Sequence, residues 1–114
     1  MRLTLDILAA DYELLRATRP FRGWRLPPAN TLRFKVVKTP SRHGRHVQVG
    51  SDHTIEISKA NVGTLSDLDR VMAHEMVHLY EGLHPDGAKS EHGARFRRLA
   101  KSVCKAHHWA EEGF

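Results

Sequence analysis

A chain of 114 residues has the size of one ordinary domain, and we expect residues 1–114 to form a single unit with its own apolar core. The single cysteine excludes an internal disulfide, and no apolar run approaches the roughly 20 residues of a membrane span. The net charge of +5 permits a nucleic acid as partner without requiring one. The N-terminal stretch lacks the apolar region of a signal peptide, which predicts a soluble, cytoplasmic protein.

The first half of the chain predicts one helix followed by a small sheet. Apolar residues at helical spacing indicate a helix from about Thr4 to Arg16, with Thr4 suited to cap it. Proline and glycine then interrupt regular structure, and Phe21 and Trp24 are expected to anchor this segment on the core. Alternating apolar residues predict three short strands, at 31–38, 46–49 and 54–58.

The second half of the chain predicts two helices. Ser66, three residues before Asp69, is typical of a helix start, and the helix that follows is apolar on most sides. It is therefore expected at the centre of the protein. A loop over 83–90 leads to a last helix over about 93–107, with a frayed tail after Trp109. The expected fold class is α+β.

The most informative stretch is His74-Glu75-Met76-Val77-His78, inside the predicted central helix. Residues four apart on a helix share a face, so His74 and His78 are placed to chelate one metal ion. Chance alone gives roughly 0.04 such matches in a chain of this composition. Zinc is the usual occupant, and Glu75 is placed to reach a water beside it.

A catalytic zinc site needs a third protein ligand, which must come from further along the chain. The candidates are His84, Glu91 and His92. His84 follows the helix too closely for the chain to turn back, whereas Glu91 and His92 follow a loop long enough to reverse direction. Spacing alone leaves the choice between these two open. We expect His43, His46, His107 and His108 to be surface or loop residues and not metal ligands.

The second motif, His92-Gly93-x-x-Phe96, gives a resemblance. With Ile55-Glu56-Ile57-Ser58 and the His74 to His78 stretch, it is similar to the SprT-like (Spartan-type) zinc metalloprotease family, over about half of the chain. The resemblance is to the catalytic core, because one cysteine cannot supply the cysteine-rich zinc ribbon of many members. It implies a small zincin-like domain in which one catalytic Zn²⁺ is bound by His74, His78 and His92. It also implies that Glu75 is the general base and acid of a zinc-dependent endopeptidase acting on a protein or peptide substrate.

Several further roles are hypotheses from the residues and the resemblance. The strand Thr54, Ile55, Glu56, Ile57 and Ser58 is a candidate to pair with an extended substrate backbone. The oxyanion of the transition state needs a second donor, and the candidates are His53, Arg95 and Tyr80. Glu81 or Glu91 is a candidate to orient a ligand imidazole.

Two alternatives to a peptidase are open. One is a DNA-associated module with minor proteolysis, based on a basic patch of Lys89, Arg95, Arg97, Arg98, Lys101 and Lys105. The other is a zinc amidohydrolase that acts on a non-protein substrate, since the same chemistry serves any carbonyl. An acidic side chain beside the two ligands argues against a purely structural zinc site, which is closed by a fourth ligand and needs no base.

Overall fold

A computed structural model describes residues 1–84 and 92–114 of the chain. Helix α1 spans Leu5–Arg16, and the Thr4 hydroxyl accepts a hydrogen bond from the Ile7 amide at 3.2 Å, as expected of its cap. Tyr12 is fully buried, donates its hydroxyl to the Pro27 carbonyl at 2.6 Å and meets the Phe34 ring edge-on. The segment after α1 is thereby tied to the core, and Phe21, at 0% exposure, anchors it as predicted.

Three strands form one mixed sheet in the order β1-β3-β2. Strand β1 spans Arg33–Val37, β2 spans Gly44–Val49 and β3 spans Asp52–Ser58. Strand β1 runs parallel to β3, and β2 runs antiparallel to it. Because β3 is central, Ile55 and Ile57 on its inner face are fully buried. Alternation along 46–49 predicts that Val49 points inward together with Val47, and this is wrong, since the Val49 side chain is 71% exposed at the turn into β3.

The sheet order corrects the proposed role of Thr54, Ile55, Glu56, Ile57 and Ser58. These residues pair with β1 along one edge and with β2 along the other, so their backbone hydrogen bonds are taken within the sheet. A central strand has no free edge for a substrate. In this sheet, the outer strands are β1 and β2.

Helix α2, Leu65–Gly82, carries the two-histidine motif and packs against β2, β3, α1 and helix α3. Its buried face includes Leu68, Met72, Met76 and Leu79, each at 0% exposure. The predicted start at Ser66 is wrong by two residues. Thr64 is the cap, and its hydroxyl accepts from the Asp67 amide at 3.1 Å. The motif thus lies on a helix that is held from several sides and is rigid for that reason.

Helix α3, Ala94–His107, packs against α2, and its Phe96 and Val103 are buried in the apolar core. It ends at His108, whose left-handed backbone (φ 59°) closes the last turn. Cys104 is 1% exposed, and burial raises the pKa of its thiol, in keeping with a structural role. Among residues 1–84 and 92–114, no helix is long and apolar enough to cross a membrane.

Candidate metal centre

Three imidazoles converge where α2 meets the start of α3. His74 and His78 lie one turn apart on α2, and His92 lies two residues before α3. One ring nitrogen from each lies within 4.8 Å of the other two, and Nε2 of His92 is 3.2 Å from Nε2 of His74. Two nitrogens bound to one tetrahedral zinc lie about 3.3 Å apart, given zinc–nitrogen bonds near 2.05 Å. The donor set therefore fits a zinc ion.

Phe96 is the packing surface that brings the three rings together. Its ring lies 4.5 Å from that of His78, 4.7 Å from that of His92 and 5.0 Å from that of His74. Phe96 is itself 3% exposed. The spacing His92-Gly93-x-x-Phe96 thus has a physical reason: Phe96 lies one helical turn into α3 and supports the histidine that precedes it.

The protonation state of His78 suits a metal ligand. Burial, with smaller contributions from His92 and His46, lowers the pKa of His78 to about 4. The ring is therefore neutral at pH 7, and a neutral imidazole has a free lone pair to donate to a metal.

Glu75 is 4% exposed and lies against the beginning of β2. A methyl group at Gly44 would lie 3.2 Å from Oε2 of Glu75 and 2.9 Å from both the Glu56 carbonyl and Val71. Glycine at position 44 therefore allows β2 to approach the carboxylate this closely. Sequence reasoning missed Gly44, since nothing in the chain shows which glycine will face the motif.

A cleft of about 420 Å³ opens at the side of the metal centre where His74 lies. Both His74 and Glu75 line it, and its other walls include Gly44 and Asn61. Among the described residues, the side chains close enough together to bind one metal ion are His74, His78 and His92. Glu75 lines the cleft but is not one of these possible ligands. A carboxylate in that place is positioned to exchange protons with a molecule in the cleft.

The buried carboxylate of Glu81 pairs with Arg95, not with a ligand imidazole. Nε of Arg95 donates to Oε2 of Glu81 at 3.0 Å, and the two side chains are 26% and 4% exposed. This ion pair joins the last turn of α2 to the first turn of α3. It thereby helps to fix the distance between His78 and His92, and it corrects the role expected of Glu81 as partner of a ligand imidazole. The role of Arg95 as oxyanion donor stays a prediction.

The other two oxyanion candidates, His53 and Tyr80, do not line the 420 Å³ cleft that contains Glu75. His53 is 6% exposed, and its Nδ1 lies 2.9 Å from Nε2 of His46. His46 is half-buried on β2, so it is not the surface or loop residue expected, but it is not part of the converging group either. Burial and the neighbouring His53 lower the pKa of His46 to about 4. Tyr80 packs against Trp24 and His84, with ring centroids 4.5 Å away in both cases.

The other third-ligand candidates are either elsewhere or outside the described residues. Nδ1 of His84 lies 2.9 Å from the Tyr80 carbonyl, and His84 is not part of the converging group. Glu91 and Lys89 lie outside residues 1–84 and 92–114, as does most of the predicted 83–90 loop. The remaining cations of the predicted basic patch are exposed on α3, namely Arg97, Arg98, Lys101 and Lys105.

The segment after α3 reaches back to the metal centre, so the prediction of a frayed tail is wrong. Nη2 of Arg70 donates to the carbonyls of Ala110 and Glu112 at 2.7 and 2.8 Å. The ring of Phe114 then lies 5.3 Å from the ring of His74. No sequence pattern pointed to these contacts, which join residues about 40 positions apart.

Comparison with known protein families matches residues 16–112 to the SprT-like family. The matched residues make up most of the chain and include all three strands, α2 and α3. Comparison with curated proteins gives no match.

Proposed function

Because the chain belongs to the SprT-like family, we propose that it is a zinc-dependent endopeptidase. In this proposal His74, His78 and His92 hold the ion, and Glu75 is the general base and acid. The observation that carries the proposal is the convergence of three imidazole nitrogens within 4.8 Å next to a buried carboxylate in a cleft. Three protein ligands leave a position for substrate, which is the pattern of catalytic zinc sites and not of structural ones.

Zinc bound there would act as a Lewis acid on the scissile carbonyl and would acidify water at the site. Glu75 contributes the proton transfers. Its carboxylate takes the proton of the attacking water and then delivers that proton to the leaving nitrogen of the peptide bond. Phe96 and the ion pair between Glu81 and Arg95 keep the three imidazoles in place during these steps.

The substrate backbone, we propose further, pairs with the outer edge of β2. Strand β2 begins at Gly44, beside the Glu75 carboxylate, and it is an outer strand of the sheet. An extended peptide added to that edge would pass the proposed base. Substrates with single N-methylated backbone amides test this point. Methylation of every second backbone amide position, where the substrate N–H would bond to β2, should strongly weaken substrate binding. Equal binding of the substrates methylated at each position would refute strand pairing.

Cleavage of an unfolded basic protein by the zinc-loaded chain tests the function. Glu75→Gln keeps the size of the side chain and removes the base, so we expect cleavage to fall by about 10²-fold or more at equal zinc content. Asp6→Asn is the matched control, because it removes one carboxylate at an exposed position on α1. Equal cleavage by the Gln variant would refute the role of Glu75, and no cleavage by the zinc-loaded wild type would refute the peptidase.

One observation favours nucleic acid as a second partner. Arg97, Lys101 and Lys105 follow each other at four-residue spacing on exposed turns of α3, and a cleft of about 320 Å³ joins Arg97 and Lys101 to His74 and His92. Phosphates bound to this face would lie next to the metal centre. Affinity for single-stranded DNA should then fall steeply with added salt and should decrease further in Lys101→Gln/Lys105→Gln. Absent or salt-independent binding would remove this candidate.

A further inference from the structure

We propose that Phe114 is the apolar wall of the subsite that receives a substrate side chain next to the scissile bond, and that Arg70 is the positioning residue that holds it there. This inference rests on the proposed peptidase function. It assigns to the chain a preference for an apolar residue flanking the cleaved bond.

Phe114 lies between two clefts that both reach the metal centre. It lines the 420 Å³ cleft that contains Glu75 and also the 320 Å³ cleft that contains His92. His74 likewise lines both clefts. The centroid of its ring is 5.3 Å from that of His74, with an angle of 54° between the two planes. A substrate side chain beside the reacting carbonyl would therefore lie against this ring from either cleft.

Arg70 holds the tail from the same face of α2 that carries His74. The two residues are four positions apart, so they lie one above the other on the helix. The guanidinium donates to two tail carbonyls, those of Ala110 and Glu112, and its Cζ lies 5.6 Å from the centre of the Phe114 ring. The tail is held further by the Phe114 amide, which donates to the Glu111 carbonyl at 3.2 Å. Phe114 is thus placed before any substrate arrives.

The chemistry of the larger cleft gives the direction of the preference. Its lining is mainly charged and polar, including Arg42, Asp67 and Arg70. Among the described residues, Val71 and Phe114 provide its large apolar side chains. An apolar substrate side chain gains contact with the aromatic ring, whereas glycine at the same position gains none. An apolar pocket contact of this kind discriminates by on the order of tenfold.

The test compares kcat/KM for peptide pairs that differ by leucine or glycine on one side of the cleaved bond. We expect the wild type to prefer leucine by about tenfold at one of the two flanking positions. Phe114→Ala should reduce the preference to near unity, while Phe114→Leu, which keeps an apolar wall, should retain most of it. Leu14→Ala, on an exposed turn of α1, is the control and should retain all of it. An unchanged preference in Phe114→Ala would overturn the inference and leave the peptidase intact.

Arg70 is tested through its dependence on Phe114. Arg70→Gln and Arg70→Lys should each lower the leucine preference, because lysine keeps the charge but cannot reproduce the paired hydrogen bonds of the guanidinium. In the Phe114→Ala background, neither change should lower it further. Full preference in Arg70→Lys, or additive losses in the double variants, would overturn the positioning role.

Binding without turnover separates this inference from the peptidase proposal. The dissociation constants of the same uncleaved peptides are measured for zinc-loaded Glu75→Gln with and without Phe114→Ala. If Glu75→Gln binds the leucine peptide more tightly than the glycine peptide, and this difference disappears in the double variant, the subsite is supported. This holds even if the wild type cleaves nothing, a result that would refute the peptidase but not the subsite. Equal affinities for the leucine and glycine peptides in both proteins would overturn the subsite.

Discussion

Replacement of Asp11 by asparagine should stabilise the protein, and the gain should grow with pH. Asp11 lies on α1 at 5% exposure and faces Asp69 of α2. Neither oxygen of Asp11 accepts a hydrogen bond from another donor within the described part of the chain, and the two carboxyl groups can bond only when one carries a proton. Burial first, and then the hydrogen bond and the charge of Asp69, raise the pKa of Asp11 to about 8.

The sign and size of the effect follow from linkage. A carboxyl group whose pKa is raised by folding, here from 3.8 to about 8, contributes its full stability below pH 4. That stability is lost progressively as the pH rises from about 4 to 8, and none of it remains above pH 8. At roughly 1.4 kcal/mol per pKa unit, the loss at pH 7 is at most about 4 kcal/mol. Relaxation around the pair reduces this value, so we expect a gain of about 2 to 3 kcal/mol for Asp11→Asn at pH 7.

Urea unfolding of the metal-free protein at pH 4.5, 7 and 9 measures this gain. An asparagine amide can still donate to Asp69 but does not titrate, so the gain should be small at pH 4.5 and largest at pH 9. Asp6→Asn is the control, since Asp6 is exposed in the first turn of α1, where a negative charge favours the helix by about 0.5 kcal/mol. Its effect should therefore have the opposite sign. A pH-independent difference, or a less stable Asp11→Asn protein at pH 7, would refute the reasoning.

Three other substitutions test how α2 is held in place. Arg95→Met leaves the Glu81 carboxylate buried without this partner, so the free energy of unfolding in urea should fall by about 3 kcal/mol. Glu81→Gln should cost less, and the reverse order would contradict the ion pair. Gly44→Ala places a methyl group 2.9 Å from the Glu56 carbonyl and from Val71, so the free energy of unfolding should fall by about 1 to 3 kcal/mol. Turnover should fall as well, and no change in either quantity would count against the close approach of β2 to Glu75. Thr64→Ala removes the cap of α2 and should lower the free energy of unfolding by about 1 kcal/mol, whereas Ser66→Ala should change it little. Equal losses in the two variants would contradict the assignment of Thr64 as the cap.

Local features of the fold could be predicted from the sequence because they depend on neighbouring residues. Helical spacing of apolar residues gave α1, α2 and α3 to within a residue or two, and alternation gave three strands. The face shared by His74 and His78 follows from the helix alone. The position of His92 near them depended on a resemblance, because spacing left Glu91 as an equal choice.

Features that depend on residues far apart in the chain could not be predicted. Alternation identifies the faces of a strand but not its neighbours, so the central position of β3 and the outer position of β2 were missed. The same reason applies to Gly44 beside Glu75 and to the hydrogen bonds of Arg70 with the tail. A glycine or an arginine looks the same in the sequence whether it faces solvent or supports a site.

The central claim is that one metal ion is held by His74, His78 and His92, and cobalt titration tests it most directly. The wild type should bind one Co²⁺ with the visible spectrum of a tetrahedral site, and His92→Ala should bind at least about 10²-fold more weakly. His84→Ala and Glu91→Gln, the other candidates for the third ligand, should bind like the wild type. Wild-type affinity in His92→Ala, or its loss in either of the other two variants, would contradict the account.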